Sequence, residues 1–111
     1  MNITLQQHDT ITEVQAQGRI DATTVPQFEE QVLPLPESGA TGIVINFESL
    51  EYISSAGLRG ILKLAKNCKA HSVKLACCSL SSEVADVFKI SGFGMILSVN
   101  TTLDEALSAV K

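Results

Sequence analysis

The sequence predicts one α/β domain: a mixed β-sheet that opens with a hairpin and continues in β-α-β units, with about four helices. Three observations carry this expectation. The chain has 111 residues, of which 45% are hydrophobic and 18% charged, enough to bury a core without disulfides or metal. Two segments near the N-terminus alternate apolar and polar residues, as half-buried strands do. Beyond them, short β-branched runs take turns with segments of helical periodicity.

Ile3, Leu5 and Gln7 share one face of the first strand, His8-Asp9-Thr10 forms a turn, and Ile11 to Ala16 returns as the second strand. Gly18-Arg19-Ile20-Asp21-Ala22 then leads to a helix. Thr24 and Gln27 have capping-box spacing, Pro26 lies in the first turn, and Phe28, Val32 and Leu35 form an apolar stripe. Pro34 and Pro36 end it, and Ser38 to Gly42 loop to Ile43-Val44-Ile45-Asn46-Phe47, which is too apolar for a surface loop, is rich in β-branched residues and reads as the central strand. Leu58, Ile61, Leu62, Ala65 and Cys68 mark a second helix that ends between Lys69 and Ser72.

Val73 to Cys78 is the next strand, and the adjacent Cys77 and Cys78 should face opposite sides of it. Ser79 to Ser82 offer caps for a third helix that contains Val84, Val87, Phe88 and Ile90 and breaks at Gly92 and Gly94. Ile96-Leu97-Ser98-Val99 is a short last strand, and Thr102-x-x-Glu105 caps a final helix bearing Leu103, Ala106, Leu107 and Val110. No linker or internal repeat divides the chain, so residues 1–111 form a single domain.

A formal net charge of −4 argues against a protein that tracks nucleic-acid phosphates. No apolar run approaches the ~20 residues that span a bilayer, and the first residues lack the basic start and apolar centre of a signal peptide. A cytoplasmic protein without membrane insertion is the expectation. Three cysteines without CxxC spacing read as reduced, buried thiols, and two histidines with three scattered cysteines do not match metal-ligand spacing. No cofactor is implied: there is no Walker A sequence, and no G-x-G-x-x-G follows a strand.

The most informative stretch is Ser54-Ser55-Ala56-Gly57-Leu58-Arg59, where a strand hands over to the second helix. A serine there can cap the helix, bind an anion, act as a nucleophile or accept a phosphate. Nucleophilic catalysis needs a general base, and neither serine sits in G-x-S-x-G. His8 lies in the first turn, and His71 stands at the far end of a helix of about 14 residues, roughly 20 Å away. The chain is therefore not expected to be an enzyme.

A cap or a modified residue remains. Serine at a helix start is usually only a cap. Three features favour modification: two serines stand where one cap suffices, Ala56 and Gly57 leave room for a partner, and a phosphate would meet the positive end of a helix dipole. Such a phosphate would repel a docked partner without unfolding the domain. Arg59, Lys63 and Lys66 follow i, i+4, i+7 spacing, which makes either a docking face or an ordinary solvated stripe.

Ile43 through Leu58 resembles the strand, loop and D-S-[ST/A]-G-L signature of a STAS domain of the anti-sigma-factor antagonist type. Gly18-Arg19-Ile20-Asp21 is similar to that family's G-x-[LI]-D turn, and Ser82 through Phe93 to its third helix. The resemblance covers nearly the whole chain and implies a STAS-type fold. It also implies partner switching in the regulation of transcription: an anti-sigma factor with serine kinase activity phosphorylates the antagonist, and a PP2C-type phosphatase reverses the step. Only the unphosphorylated antagonist binds the anti-sigma factor.

By position the acceptor is Ser55, which directly precedes Ala56-Gly57-Leu58. Ser54 stands where the family often has aspartate and is a second candidate. Asp21 matches a family position near the partner surface. With Ser54, Ala56, Gly57, Arg59 and Lys63 it makes up the expected partner-binding set. Tyr52 either packs in the core or is half exposed beside the serines. A competing function is a structural accessory subunit of a cytoplasmic or membrane-transport complex, in which the serines only cap the helix.

Overall fold

The computed structural model describes all 111 residues. Strands β1 (Asn2–His8) and β2 (Ile11–Ile20) form an antiparallel hairpin whose turn contains Asp9 in the left-handed region, at φ +57°. Helix α1 (Val25–Val32) follows, then a single 3₁₀ turn at Leu35–Glu37. Next come β3 (Gly42–Asn46), β4 (Leu50–Ile53), α2 (Ser55–Ala70), β5 (Lys74–Cys78) and α3 (Ser82–Ser91). A 3₁₀ turn at Phe93–Met95, β6 (Ser98–Asn100) and α4 (Leu103–Ala109) complete the chain. The main sheet runs β1-β2-β3-β5-β6, with β3 at its centre and every pairing beyond the hairpin parallel.

The ten-residue β2 serves two partners. Its first half, Ile11 to Gln15, pairs with β3, and its last residues, Gly18 to Ile20, pair with β4. Strand β4 is absent from the sequence-based element order, and the register explains why. Gly18 faces Leu50 while Arg19 faces Tyr52, so Glu51 is an extra residue on β4. This bulge breaks the alternation, leaving Leu50 and Ile53 buried around an exposed Glu51-Tyr52 pair. The serine junction therefore follows β4 rather than the central strand.

Two apolar clusters sandwich the sheet. On one face Val14, Ile20, Ile43, Ile45 and Ile53 pack against Phe28 and Val32 of α1, Ile61 and Leu64 of α2, and Val84 and Phe88 of α3. On the other, Ile11, Val44, Ala76 and Cys78 meet Ala106 and Val110 of α4. Cys77 and Cys78 divide between the two faces as their adjacency requires, and both are buried. Burial pushes the Cys68 thiol up to about 11 and Cys77 to about 12, and raises Cys78 as well, so all three free cysteines are held as thiols.

Several end details differ from the expectation. Thr24 precedes α1 but does not make the box with Gln27, because its hydroxyl turns back to Arg19 and Asp21. Ile90 lies within α3 as expected, but off the Val84-Val87-Phe88 stripe, and is 88% exposed. The last strand starts at Ser98, since Ile96 and Leu97 close the preceding 3₁₀ turn through bonds to the Phe93 carbonyl. Ser81 caps α3, Gly92 ends it at φ +74°, and Thr102 caps α4 through the Glu105 N–H at 3.2 Å.

One carboxylate is buried. Glu13 is 1% exposed, and it accepts hydrogen bonds from His8 Nε2 (2.7 Å), Gln15 Nε2 (2.9 Å) and Asn46 Nδ2 (3.0 Å). Burial alone would raise its pKa. The hydrogen bonds from His8, Asn46 and Gln15 and the charge on His8 outweigh that cost and hold it below the ordinary 4.5. A carboxylate with a depressed folded-state pKa stabilises the fold above its unfolded value, and that contribution disappears as pH falls through the folded one. In urea unfolding from pH 7 to pH 3, Glu13→Gln should be less stable than the wild type at neutrality. The gap should narrow as pH drops below 4.5, and a gap that stays constant to pH 3 would contradict this account.

Candidate functional site

The site forms where the parallel strands β2 and β4 end side by side. Ile20 pairs with Ile53, and the next residue on β4, Ser54, donates its N–H to the Ile20 carbonyl at 2.9 Å. The two chains then diverge, one into the Asp21 turn and the other into α2. Asp21 and the serine pair, more than thirty positions apart in sequence, thus become neighbours at one edge of the domain.

The two serines stand in different settings. Ser54 has extended backbone, is half-buried, and accepts the Gly57 N–H on its hydroxyl at 3.3 Å, which makes it the N-cap of α2. Ser55 is the first helical residue and is exposed. Its own N–H and that of Ala56 have no acceptor within the protein, so two donors at the positive end of a 16-residue helix face outward. Ala56 is partly exposed beside them.

Gly57 was expected on the partner face, and the structure corrects this. It is buried, and a Cβ there would lie 2.8 Å from Ile20 Cγ2, the Ile20 carbonyl oxygen and Ile53 Cγ1. Its missing side chain makes room for the protein's own strands. The basic stripe also changes. Lys63 reaches across to Glu29 of α1 at 3.0 Å and belongs to a helix–helix ion pair, whereas Arg59 and Lys66 have no carboxylate within 4 Å.

Asp21 is held in place by its own turn. One carboxylate oxygen accepts the N–H groups of Thr23 (3.0 Å) and Thr24 (3.2 Å), and the other lies 3.5 Å from Arg19 Nε. Desolvation opposes its ionisation, but the Thr24 and Thr23 N–H groups, Arg19 and the Thr24 hydroxyl outweigh it and keep Asp21 below the ordinary carboxylate value. The Arg19 guanidinium also sits 4.5 Å above the ring of Tyr52, which is 40% exposed. Arg19 was not among the expected partner-binding residues; its position opposite Tyr52 follows from the bulged pairing with β4.

Neither histidine is near Ser55. His8 serves the Glu13 cluster at the start of β2. His71 closes the C-terminus of α2, with Nδ1 donating to the Asn67 carbonyl at 2.9 Å and Nε2 lying 3.4 Å from Glu37. The helix between Ser55 and His71 spans roughly 24 Å.

The family profile of the STAS domain matches residues 2–106. The chain belongs to the STAS domain family. Among curated relatives, a candidate anti-sigma factor antagonist, BtrV, of Bordetella bronchiseptica is 32% identical, covering all of this chain and 96% of that protein. The anti-sigma-B factor antagonist of Staphylococcus aureus is 29% identical, with 90% of this chain and 93% of that protein covered. Of solved structures, the anti-sigma factor antagonist SpoIIAA in its unphosphorylated form matches with a TM-score of 0.81 at 25% identity, covering 96% of this chain and 94% of that one. The phosphorylated form of SpoIIAA from Bacillus matches with a TM-score of 0.76 at 24% identity over 99% of this chain and all of that one. No helix of this STAS domain is long and apolar enough to cross a membrane.

Two stability measurements test the division of roles at the junction. Ser54→Ala should cost about 1 kcal/mol through loss of the cap, while Ser55→Ala stays within about 0.5 kcal/mol; equal costs would contradict the assignment. Gly57→Ala should destabilise by about 1–3 kcal/mol through overpacking. Gly94→Ala, where a Cβ meets nothing within 4 Å, is the control and should change little.

Proposed function

We propose that this STAS domain is an anti-sigma-factor antagonist switched by phosphorylation at Ser55. The observation that carries the reading is the split between the serines: Ser54 is committed to capping α2, and Ser55 is left exposed with an unengaged hydroxyl. Full-length similarity to anti-sigma factor antagonists supports the class, and SpoIIAA occurs in both unphosphorylated and phosphorylated forms.

In this reading the partner is an anti-sigma factor with serine kinase activity. It docks on the edge formed by Asp21, Ser54, Ala56 and Arg59. The Ser55 oxygen attacks the γ-phosphorus of ATP bound to the kinase, its proton passes to a base of the kinase, and ADP leaves. The product places roughly −1.5 to −2 of charge at the helix N-terminus, which the helix accommodates and the docked partner does not. A PP2C-type phosphatase restores the hydroxyl. The protein itself supplies no catalytic group and acts as a regulated binding partner in the cytoplasm. Gly57 and Lys63 support the surface from within, by close packing and by tying α2 to α1.

Incubation with a cognate anti-sigma factor of the serine-kinase type and Mg-ATP, followed by mass-spectrometric mapping, tests the proposal. The expected outcome is a single phosphate on Ser55, lost in Ser55→Ala and retained in Ser54→Ala. Phosphate on Ser54 alone, or an unmodified Ser55 together with full partner binding by Ser55→Asp, would overturn it.

A further inference from the structure

We propose that Arg59 is the internal receptor for the Ser55 phosphate, so that phosphorylation both adds an anion to the docking edge and withdraws a cation from it. The inference rests on the reading of Ser55 as the phosphate acceptor. Ser55 and Arg59 stand four residues apart on α2, and both are exposed. Positions i and i+4 are neighbours on a helix surface, with Cβ atoms about 5–6 Å apart. Helical side chains lean toward the N-terminus, so an arginine at position 59 is within reach of the turn that carries Ser55.

The other cations near this edge are already engaged. Arg19 is held by Asp21 and by the Tyr52 ring, and Lys63 by Glu29. Lys66 is unpaired but lies three turns from Ser55. Arg59 is therefore the free guanidinium within one turn of the acceptor hydroxyl, and no carboxylate lies within 4 Å to compete for it. A guanidinium binds a phosphate dianion through two parallel N–H···O bonds, which a lysine at the same position would not reproduce.

Before phosphorylation Arg59 is available to an acidic group of the partner. Afterwards it is folded back onto its own helix. The exposed Ser55 and Ala56 N–H groups complete the cradle on the other side of the phosphate.

The test uses the full chain with phosphoserine installed at position 55 during translation, so it needs no kinase. Titration by phosphorus NMR follows the second ionisation of the phosphate. The wild type should ionise at a pH lower by about 0.3 unit than Arg59→Gln, with Arg59→Lys intermediate. Lys66→Gln should titrate with the wild type. Coincident titration of Arg59→Gln and the wild type would overturn the proposal, as would an equal shift in Lys66→Gln, which would mark a non-specific charge effect. Because the phosphate is installed chemically defined, a kinase that ignores Ser55 would defeat the functional reading while leaving this result standing.

Discussion

Helix α2 starts almost in contact with the backbone of β2. At Gly57 the separation leaves no space for a methyl group, because Ile20 and Ile53 already occupy the positions a Cβ would need. The Ser54 N–H bond to the Ile20 carbonyl anchors the same point from the strand side. These two contacts fix where the helix begins and how it is rotated. With Gly57 turned inward, Ser55 two residues earlier points outward, and Arg59 falls on the same face one turn later. A larger residue at position 57 would push the helix off the strands and move every group of the site together.

The platform beneath this contact is rigid for identifiable reasons. β2 is shared between β3 and β4, so the strand that carries Arg19 and Asp21 at one end is clamped in the middle of the sheet at the other. Its buried Glu13 has all its bonds made, and no buried side-chain polar atom lacks a partner. A charge added at the surface of such a body meets little internal slack. A phosphate on Ser55, as proposed, would then act mainly through the electrostatics of the edge, which suits a switch on binding.

Much of this was legible in the sequence where local chemistry and global packing agree. The hairpin, the central strand β3 (Gly42–Asn46), the α4 cap at Thr102 and the buried cysteines all follow from short-range signals that the fold leaves unopposed. The misses have a common cause in tertiary register. β4 was hidden by a bulge at Glu51 that only its pairing with β2 defines, and Thr24 gave up a capping box because its hydroxyl had a better use between Arg19 and Asp21. At the site, the signature serines were visible as a pair, and the bond from the Gly57 N–H shows that the one capping α2 is Ser54. Gly57 was misread as space for a partner, since a sequence shows a glycine's small size without showing which neighbour uses it. Lys63 and Arg59 look alike on a helical wheel and differ because α1 brings Glu29 to one of them.

As proposed, a phosphate on Ser55 weakens partner binding while the domain stays folded. Isothermal titration calorimetry of the anti-sigma factor against the unmodified chain and against the chain carrying phosphoserine at position 55 tests it directly. The account predicts an affinity lower by about 100-fold or more for the phosphorylated chain, the scale of several kcal/mol that like charge at an interface costs, with circular dichroism unchanged between the two. Equal affinities for both forms would contradict it.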